Sequence, residues 1–272
     1  SAFGVISGII ASAPSIEDID ATPTGYLTTV LDNQGNQTAT LVASGSNRKY
    51  VTIDEIPINL QHAFVAIEDE RFYDHNGIDL QGILRAGLKG VASGFHFSEG
   101  ASTITQQLLK NTVFTQWTSE QSMADKFERK FQEQYLALQL EKVVDKDWIL
   151  ENYLNAINLG QNTLGVGVAS ERYFGKDVSE LTLSECAVLA AITQSPSYYN
   201  PITHPDHNKE RRQKVLNNML DQGYISQTEY DEAVADNVYD RIQVVNVESQ
   251  DENINSYFVD EMTDQIVQDM ID

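Results

Sequence analysis

The ten residues Glu68-Asp69-Glu70-Arg71-Phe72-Tyr73-Asp74-His75-Asn76-Gly77 bring together carboxylates, an aromatic pair, a histidine and a glycine. They follow directly on the apolar run Phe64-Val65-Ala66-Ile67. A carboxylate at the end of an apolar helix face is costly to keep charged without partners, so such groups tend to acquire shifted proton affinity and chemical roles. The chemistry they offer is general acid or base work on a hydroxyl. Taken alone, the same residues also read as an acidic helix end with ordinary aromatic packing.

Two further clusters change the balance. In Gly100-Ala101-Ser102-Thr103-Ile104-Thr105-Gln106-Gln107, the pairs Ser102/Gln106 and Thr103/Gln107 are four apart, and Lys110 follows Gln107 by three. On a helix these spacings align polar groups along neighbouring ridges. Gly100 leaves backbone N–H groups open at the helix start, which suits an anion such as a phosphate or pyrophosphate, while the same residues also read as a capped, solvent-facing helix start. The third cluster, Arg129-Lys130-Phe131-Gln132-Glu133, puts Arg129 and Glu133 on one face. By itself that is an ordinary surface ion pair, worth about 0.2–0.5 kcal/mol.

These residues need a scaffold, and 272 of them are enough for a well-buried core. The single cysteine, Cys186, excludes an intrachain disulfide and reads as a small core residue within an apolar run. The formal net charge of −22 lies in the flanks: residues 1–47 hold four acids and no Lys or Arg, and residues 225–272 hold thirteen acids against Arg241 alone. Nucleic acid is therefore not an expected partner, while the central segment keeps enough cations for a local anion site. The apolar opening Ala2 to Ala11 is shorter than the roughly 20 residues of a spanning helix.

Along the chain, residues 1–24 read as an apolar helix and linker. Tyr26–Leu31 and Thr38–Val42 read as a β-hairpin around Asp32-Asn33-Gln34-Gly35-Asn36, placed within residues 25–51. A mostly helical domain follows over 52–236, entered with Thr52 or Asp54 as cap. Its helices are expected from Asp79, over Ser102–Lys110, Met123–Lys142, Lys146–Leu154, Leu183–Thr193, Lys209–Gln222 and Thr228–Asp236. Gly160, Gly165 and Gly167 mark an irregular stretch. The tail 237–272 carries a β-like run, Ile242–Val247, and a helix from Tyr257.

In this order the clusters resemble the signature motifs of the peptidoglycan glycosyltransferases, the transglycosylase domain of class A penicillin-binding proteins (glycosyltransferase family 51). The matching residues are Glu68-Asp69-x-x-Phe72-x-x-His75-x-Gly77, Gly100–Gln107, Arg129-Lys130-x-x-Glu133, Ile149–Asn155 with Tyr173–Lys176, and Glu185–Ala190 with Pro196–Pro201. Ala101 stands where many members have glycine, and Asp125 and Gln132 stand where relatives often carry basic residues.

The resemblance implies a mainly α, lysozyme-like fold and polymerisation of lipid II on a nascent glycan strand. It assigns Glu68 as general base and Glu133 as the second carboxylate, beside the donor pyrophosphate. Asp69, Phe72, His75, Gly77, Ser102, Thr103, Thr105, Gln106 and Gln107 are expected to line the substrate site. Lys110, Arg129 and Lys130 are expected around the phosphates. A divalent cation, Mg2+ or Mn2+, is a candidate helper at the pyrophosphate, with no residue assigned as a metal ligand. Implied partners are the membrane surface and other cell-wall synthesis proteins.

The implied location is the extracytoplasmic face of a bacterial cell membrane. Ser1 to Ala13 would be the outer end of a single-pass anchor, and the tail from Ser256 the lead-in to a transpeptidase domain. Leu84, Leu88, Val91, Phe95 and Phe97 either touch the membrane or form core. A lytic enzyme that cuts glycan strands and a non-catalytic lipid II-binding scaffold are the competing readings.

Overall fold

The computed structural model describes residues 2–13, 15–16, 21, 27–31, 37–42, 49–85, 102–113, 123–160 and 163–243. In chain order the elements are α1 (Ala2–Ser12), β1 (Leu27–Leu31), β2 (Gln37–Val42), α2 (Ile58–Glu68), α3 (Ile104–Thr112), α4 (Met123–Leu140), α5 (Lys146–Ala156), α6 (Val166–Phe174), α7 (Leu183–Ala191), α8 (Pro205–Asp221) and α9 (Gln227–Ala235). The fold is mainly α, as expected. The strands pair antiparallel with Leu27 opposite Val42, and the register shifts between Val30 and Leu31. The expected β-like run after Gln243, the tail helix, and Leu88, Val91, Phe95 and Phe97 lie outside the described residues.

Helix starts follow local side-chain chemistry. Thr103, Thr182 and Ser226 each form a reciprocal capping box, with Gln106, Glu185 and Glu229 respectively. Asp145 caps α5 through the Trp148 N–H. Each such cap contributes about 1 kcal/mol. Asp79 accepts from the Gly82 N–H at 2.9 Å and opens a helical segment at 80–85, as its position predicts.

Two expectations fail. Thr52 and Asp54 do not cap α2, which begins after Pro57 with no side-chain cap. Thr52 is tied instead to Glu55, which accepts from its N–H at 2.7 Å and from its hydroxyl at 2.9 Å. The glycine-marked stretch also contains a helix, α6. Gly165 stands at its N-cap with φ 86°. Gly167 lies inside it because a Cβ there would come within 2.7 Å of the Lys49 carbonyl oxygen. The second glycine reports close chain approach rather than a loop.

The helices pack in two groups. In one, α2 buries Leu60, Ala63, Phe64, Val65 and Ala66 against α7 and α8. Every residue of α7 from Ser184 to Ala191 is buried, Cys186 included, so this helix is enclosed on all sides. Val215, Leu216 and Met219 of α8 close that side. In the other group, α3 packs on α4 and α5. Phe64 and Tyr153 meet edge to face at 6.2 Å and join the groups. Helix α1 lies along α4. Among the described residues no helix is long and apolar enough to cross a membrane.

The N-terminal end of α7 is fixed by charge. Burial works to raise the Glu185 carboxyl, but Lys176 at 2.6 Å, the Thr182 N–H and Arg241 at 3.0 Å together hold it below its ordinary value of 4.5. A depressed folded-state pKa contributes stability that is complete above the unfolded value and lost as pH falls through the folded one. Glu185→Gln is therefore expected to lower unfolding free energy at pH 7. The gap to the unmodified protein should narrow as pH drops below 4.5. Urea denaturation across pH 3–7 checks this, and a gap independent of pH would refute it.

Candidate active site

Glu68, the last residue of α2, sits at the seam between the two helix groups. Its side chain is 13% exposed. The Gln107 amide of α3 donates to Oε2 at 3.0 Å. On the other side the Thr193 hydroxyl, just beyond α7, bonds Oε1, and the Arg211 guanidinium of α8 stands 3.5 Å from the same oxygen. Gln107 is itself oriented: its Oε1 faces the Tyr153 hydroxyl at 3.4 Å, leaving the amide N–H groups for Glu68. Burial, and then the Glu68 and Asp69 carboxylates, push the Tyr153 phenol well above its ordinary value, so it remains a donor. The carbonyl of Ala66, two residues before the end of α2, accepts from Asn218 at 2.9 Å and Gln222 at 3.0 Å. A carboxylate clamped in this way keeps one orientation.

Asp69 turns the other way, into the interior, with its side chain 2% exposed. Its Oδ2 accepts from the Ile104 N–H at 2.9 Å and meets His75 Nε2 at 2.8 Å. His75 Nδ1 accepts from the Gly77 N–H at 3.1 Å, which puts the ring proton on Nε2, facing Asp69. Gly77 adopts φ 98°, and a Cβ would come within 2.5 Å of the Ala137 carbonyl oxygen, so glycine is required twice over. The Gly77 carbonyl accepts from the Thr103 hydroxyl at 2.7 Å. Lys146 lies 4.5 Å over the Phe72 ring and donates to the His75 carbonyl at 2.7 Å. It also pairs with Glu141, which accepts from Thr105 at 2.6 Å.

Glu133 is reached from the start of α3. Its side chain is 2% exposed and pairs with Arg129 and, at 3.1 Å, with Lys130. Lys130 also donates to the Ser102 hydroxyl at 2.6 Å. The Lys130 side chain stays 41% exposed. Two cations around one carboxylate leave a net positive face beside Ser102. The N–H groups at the start of α3, expected to be open to an anion, are instead taken by Asp69 and by the Thr103–Gln106 capping box.

The expected site residues thus separate into two sets. Glu68, Gln107, Ser102, Arg129, Lys130 and Glu133 come together around α3. Asp69, Phe72, Thr103, Thr105 and Gln106 are buried, and His75 and Gly77 are bonded into the same internal network. Lys110 is exposed in the last turn of α3 and makes no ion pair among the described residues. Thr193, Arg211, Tyr153, Glu141 and Lys146 join the site without having been singled out from sequence. Arg211 sits in the polar run Asn208-Lys209-Glu210-Arg211-Arg212, where spacing alone reads as a solvated helix face.

The Glu133 carboxylate is already committed to two cations, and among the described residues no group of three His, Cys, Asp or Glu side chains could hold a metal.

A helical domain with one donor-clamped carboxylate at its seam, and a second braced by cations one helix away, is equipped for two-carboxylate glycosyl chemistry with an anionic leaving group. The chain belongs to the transglycosylase family: the family model described as Transglycosylase matches residues 34–220. It is 42% identical over 257 residues to Penicillin-binding protein 1A of Clostridium novyi (strain NT), covering 92% of this chain and 29% of that relative. It is 47% identical over 201 residues to Penicillin-binding protein 1F of Bacillus subtilis (strain 168), covering 74% of this chain and 27% of that one. A solved structure of Penicillin-Binding Protein 1A from Haemophilus influenzae aligns with TM-score 0.44 and 23% identity, over 91% of this chain and 24% of that chain. The chain spans less than a third of the length of these relatives.

Removing the Asp69 carboxylate would strand the Ile104 N–H and the His75 Nε2–H inside the protein. Asp69→Ala is expected to cost about 3 kcal/mol, and Asp69→Asn less, because the amide oxygen still accepts one bond. Chemical denaturation measures both, and equal losses would contradict this account.

Proposed function

We propose that this domain polymerises lipid II, a disaccharide-pentapeptide carried on undecaprenyl pyrophosphate, into β-1,4-linked glycan. The observation that carries the proposal is the clamp on Glu68: donors from α3, from beyond α7 and from α8 converge on one carboxylate that still has access to solvent. A sugar hydroxyl is a weak nucleophile and needs such a positioned base. Glu68 takes the proton of the acceptor 4-hydroxyl as its oxygen bonds to C1 of the donor chain. The C1–oxygen bond to the pyrophosphate breaks, the leaving group keeps the electron pair, and C1 inverts.

Arg129 and Lys130 receive the charge that develops on the pyrophosphate, with Ser102 and Glu133 holding Lys130 in place. These cations supply the compensation that a divalent ion would otherwise give. Lys110, exposed one helix length away, meets phosphate only if the lipid-linked substrate extends along α3.

The same reading places the domain at the extracytoplasmic face of a cell membrane, among the cell-wall synthesis proteins. Support comes from Leu80 and Leu84, both largely exposed, and from the apolar α1. Ser12 of α1 accepts from Gln132, next to Glu133, at 3.1 Å, so an anchor entering there would lie against the donor side of the site.

Labelled lipid II in detergent tests the proposal directly. The protein should yield long glycan strands, and Glu68→Gln should slow polymerisation by about 10²–10⁴-fold while circular dichroism shows an unchanged fold. Normal strand synthesis by that variant would sink the assignment. Shortening of preformed glycan without use of lipid II would show a lytic enzyme, and binding without turnover a scaffold.

A further inference from the structure

Beyond Arg211 the structure holds an aromatic surface that the proposed chemistry does not use. Tyr198, His204 and His207 lie nearly parallel: Tyr198 stacks on His207 at 4.1 Å and 15°, His204 on His207 at 5.3 Å and 6°, and Tyr198 faces His204 at 6.4 Å and 18°. Tyr198 is 51% exposed, unusual for a large ring that is rigidly held.

The rigidity comes from below. Buried Asn200 accepts from the Ile202 and Thr203 N–H groups at 2.9 and 3.2 Å. Buried Asn208 donates to the Tyr199 carbonyl at 2.9 Å and accepts from the Tyr239 hydroxyl at 2.6 Å. His207 Nδ1 donates to the Tyr198 carbonyl at 3.2 Å. His204 Nδ1 meets the Thr203 hydroxyl at 2.9 Å. Among the described residues neither imidazole Nε2 has a hydrogen-bond partner, so each imidazole presents a polar edge at the side of the stack.

A chain of side-chain contacts links these rings to the site. Tyr199 meets Tyr198 edge to face at 4.9 Å, and Arg211 lies 5.1 Å over the Tyr199 ring while facing Glu68 at 3.5 Å. With ordinary bond lengths, Tyr198 is at most roughly 15 Å from the Glu68 carboxylate. The connection runs to the proton-accepting carboxylate and not to the cation-braced Glu133.

We infer that Tyr198, His204 and His207 form a carbohydrate subsite for the β-1,4-linked N-acetylhexosamine rings on the acceptor side of the reaction. The apolar C–H face of a pyranose stacks on a pre-ordered aromatic plane at little entropic cost, and the free imidazole edges bond its hydroxyls. The inference rests on the glycosyltransferase reading and specifies where the acceptor lies.

The probe is a soluble β-1,4-linked N-acetylglucosamine tetrasaccharide, titrated into the Glu68→Gln protein and followed by calorimetry and by the ring resonances of Tyr198, His204 and His207. Binding should shift those resonances. Tyr198→Ala should weaken it roughly three- to tenfold, and Tyr198→Phe should restore it. With lipid II and the otherwise unmodified enzyme, Tyr198→Ala should raise KM and leave kcat nearly unchanged. No binding, or equal affinity in Tyr198→Ala and Tyr198→Phe, would overturn the subsite. Polymerisation by Glu68→Gln would instead overturn the catalytic reading, so the two failures are distinguishable.

Discussion

One buried carboxylate organises the site. Asp69 joins the end of α2 to the start of α3 by accepting from the Ile104 N–H and from His75. Hydrogen bonds to a charged group contribute about 1.5–3 kcal/mol each, more than the reciprocal cap that otherwise starts α3. Because Glu68 is the preceding residue, fixing Asp69 inward leaves Glu68 facing the seam. Because Gln107 lies one turn past Ile104 on the same helix, fixing the start of α3 also places the amide that holds Glu68. The His75–Gly77 turn and the Thr103 hydroxyl close the loop around this joint. Adjacent carboxylates thus take opposite roles through direction alone.

Much of this was legible in the sequence, and for a physical reason. Capping residues, helical spacing and the hairpin turn are local, so α3, α4, α5 and the β1–β2 pair fall where their residues predict. The two glutamates and the cations beside Glu133 were also visible, since Arg129, Lys130 and Glu133 share one helix face. What was hidden depends on tertiary approach. Gly167 looks like a loop residue until the Lys49 backbone is placed against it. Thr193 and Arg211 acquire meaning only when α7 and α8 are packed on α2, more than a hundred residues away in sequence. The burial of Thr105 and Gln106 was equally invisible, because polar residues at the start of a helix are as suited to a substrate cleft as to a network.

The fourth cluster, Ile149 to Asn155, shows how such a network reaches outward. Glu151 accepts from the Ile53 N–H at 2.7 Å, and Asn155 pairs with both the N–H and the carbonyl of Val51, at 2.9 and 2.8 Å. These bonds hold the strand-like entry to α2. Tyr153, between them, faces Gln107. One helix of mixed polarity therefore secures α2 at its start and the partner of Glu68 at its end. Glu151, Tyr153 and Asn155 serve as internal ties.

The two glutamates differ in a way that separates their chemistry. Glu68 is approached by an amide, a hydroxyl and, at the longer distance of 3.5 Å, one guanidinium, on a side chain that solvent still reaches. Those contacts orient the carboxylate without surrounding it with positive charge. Glu133 is nearly sealed and bonded to two cations. Its charge keeps Arg129 and Lys130 side by side against their mutual repulsion, with Lys130 also bonded to Ser102 just before α3. Under the proposed function, like residue types are divided between proton transfer and charge placement by their surroundings.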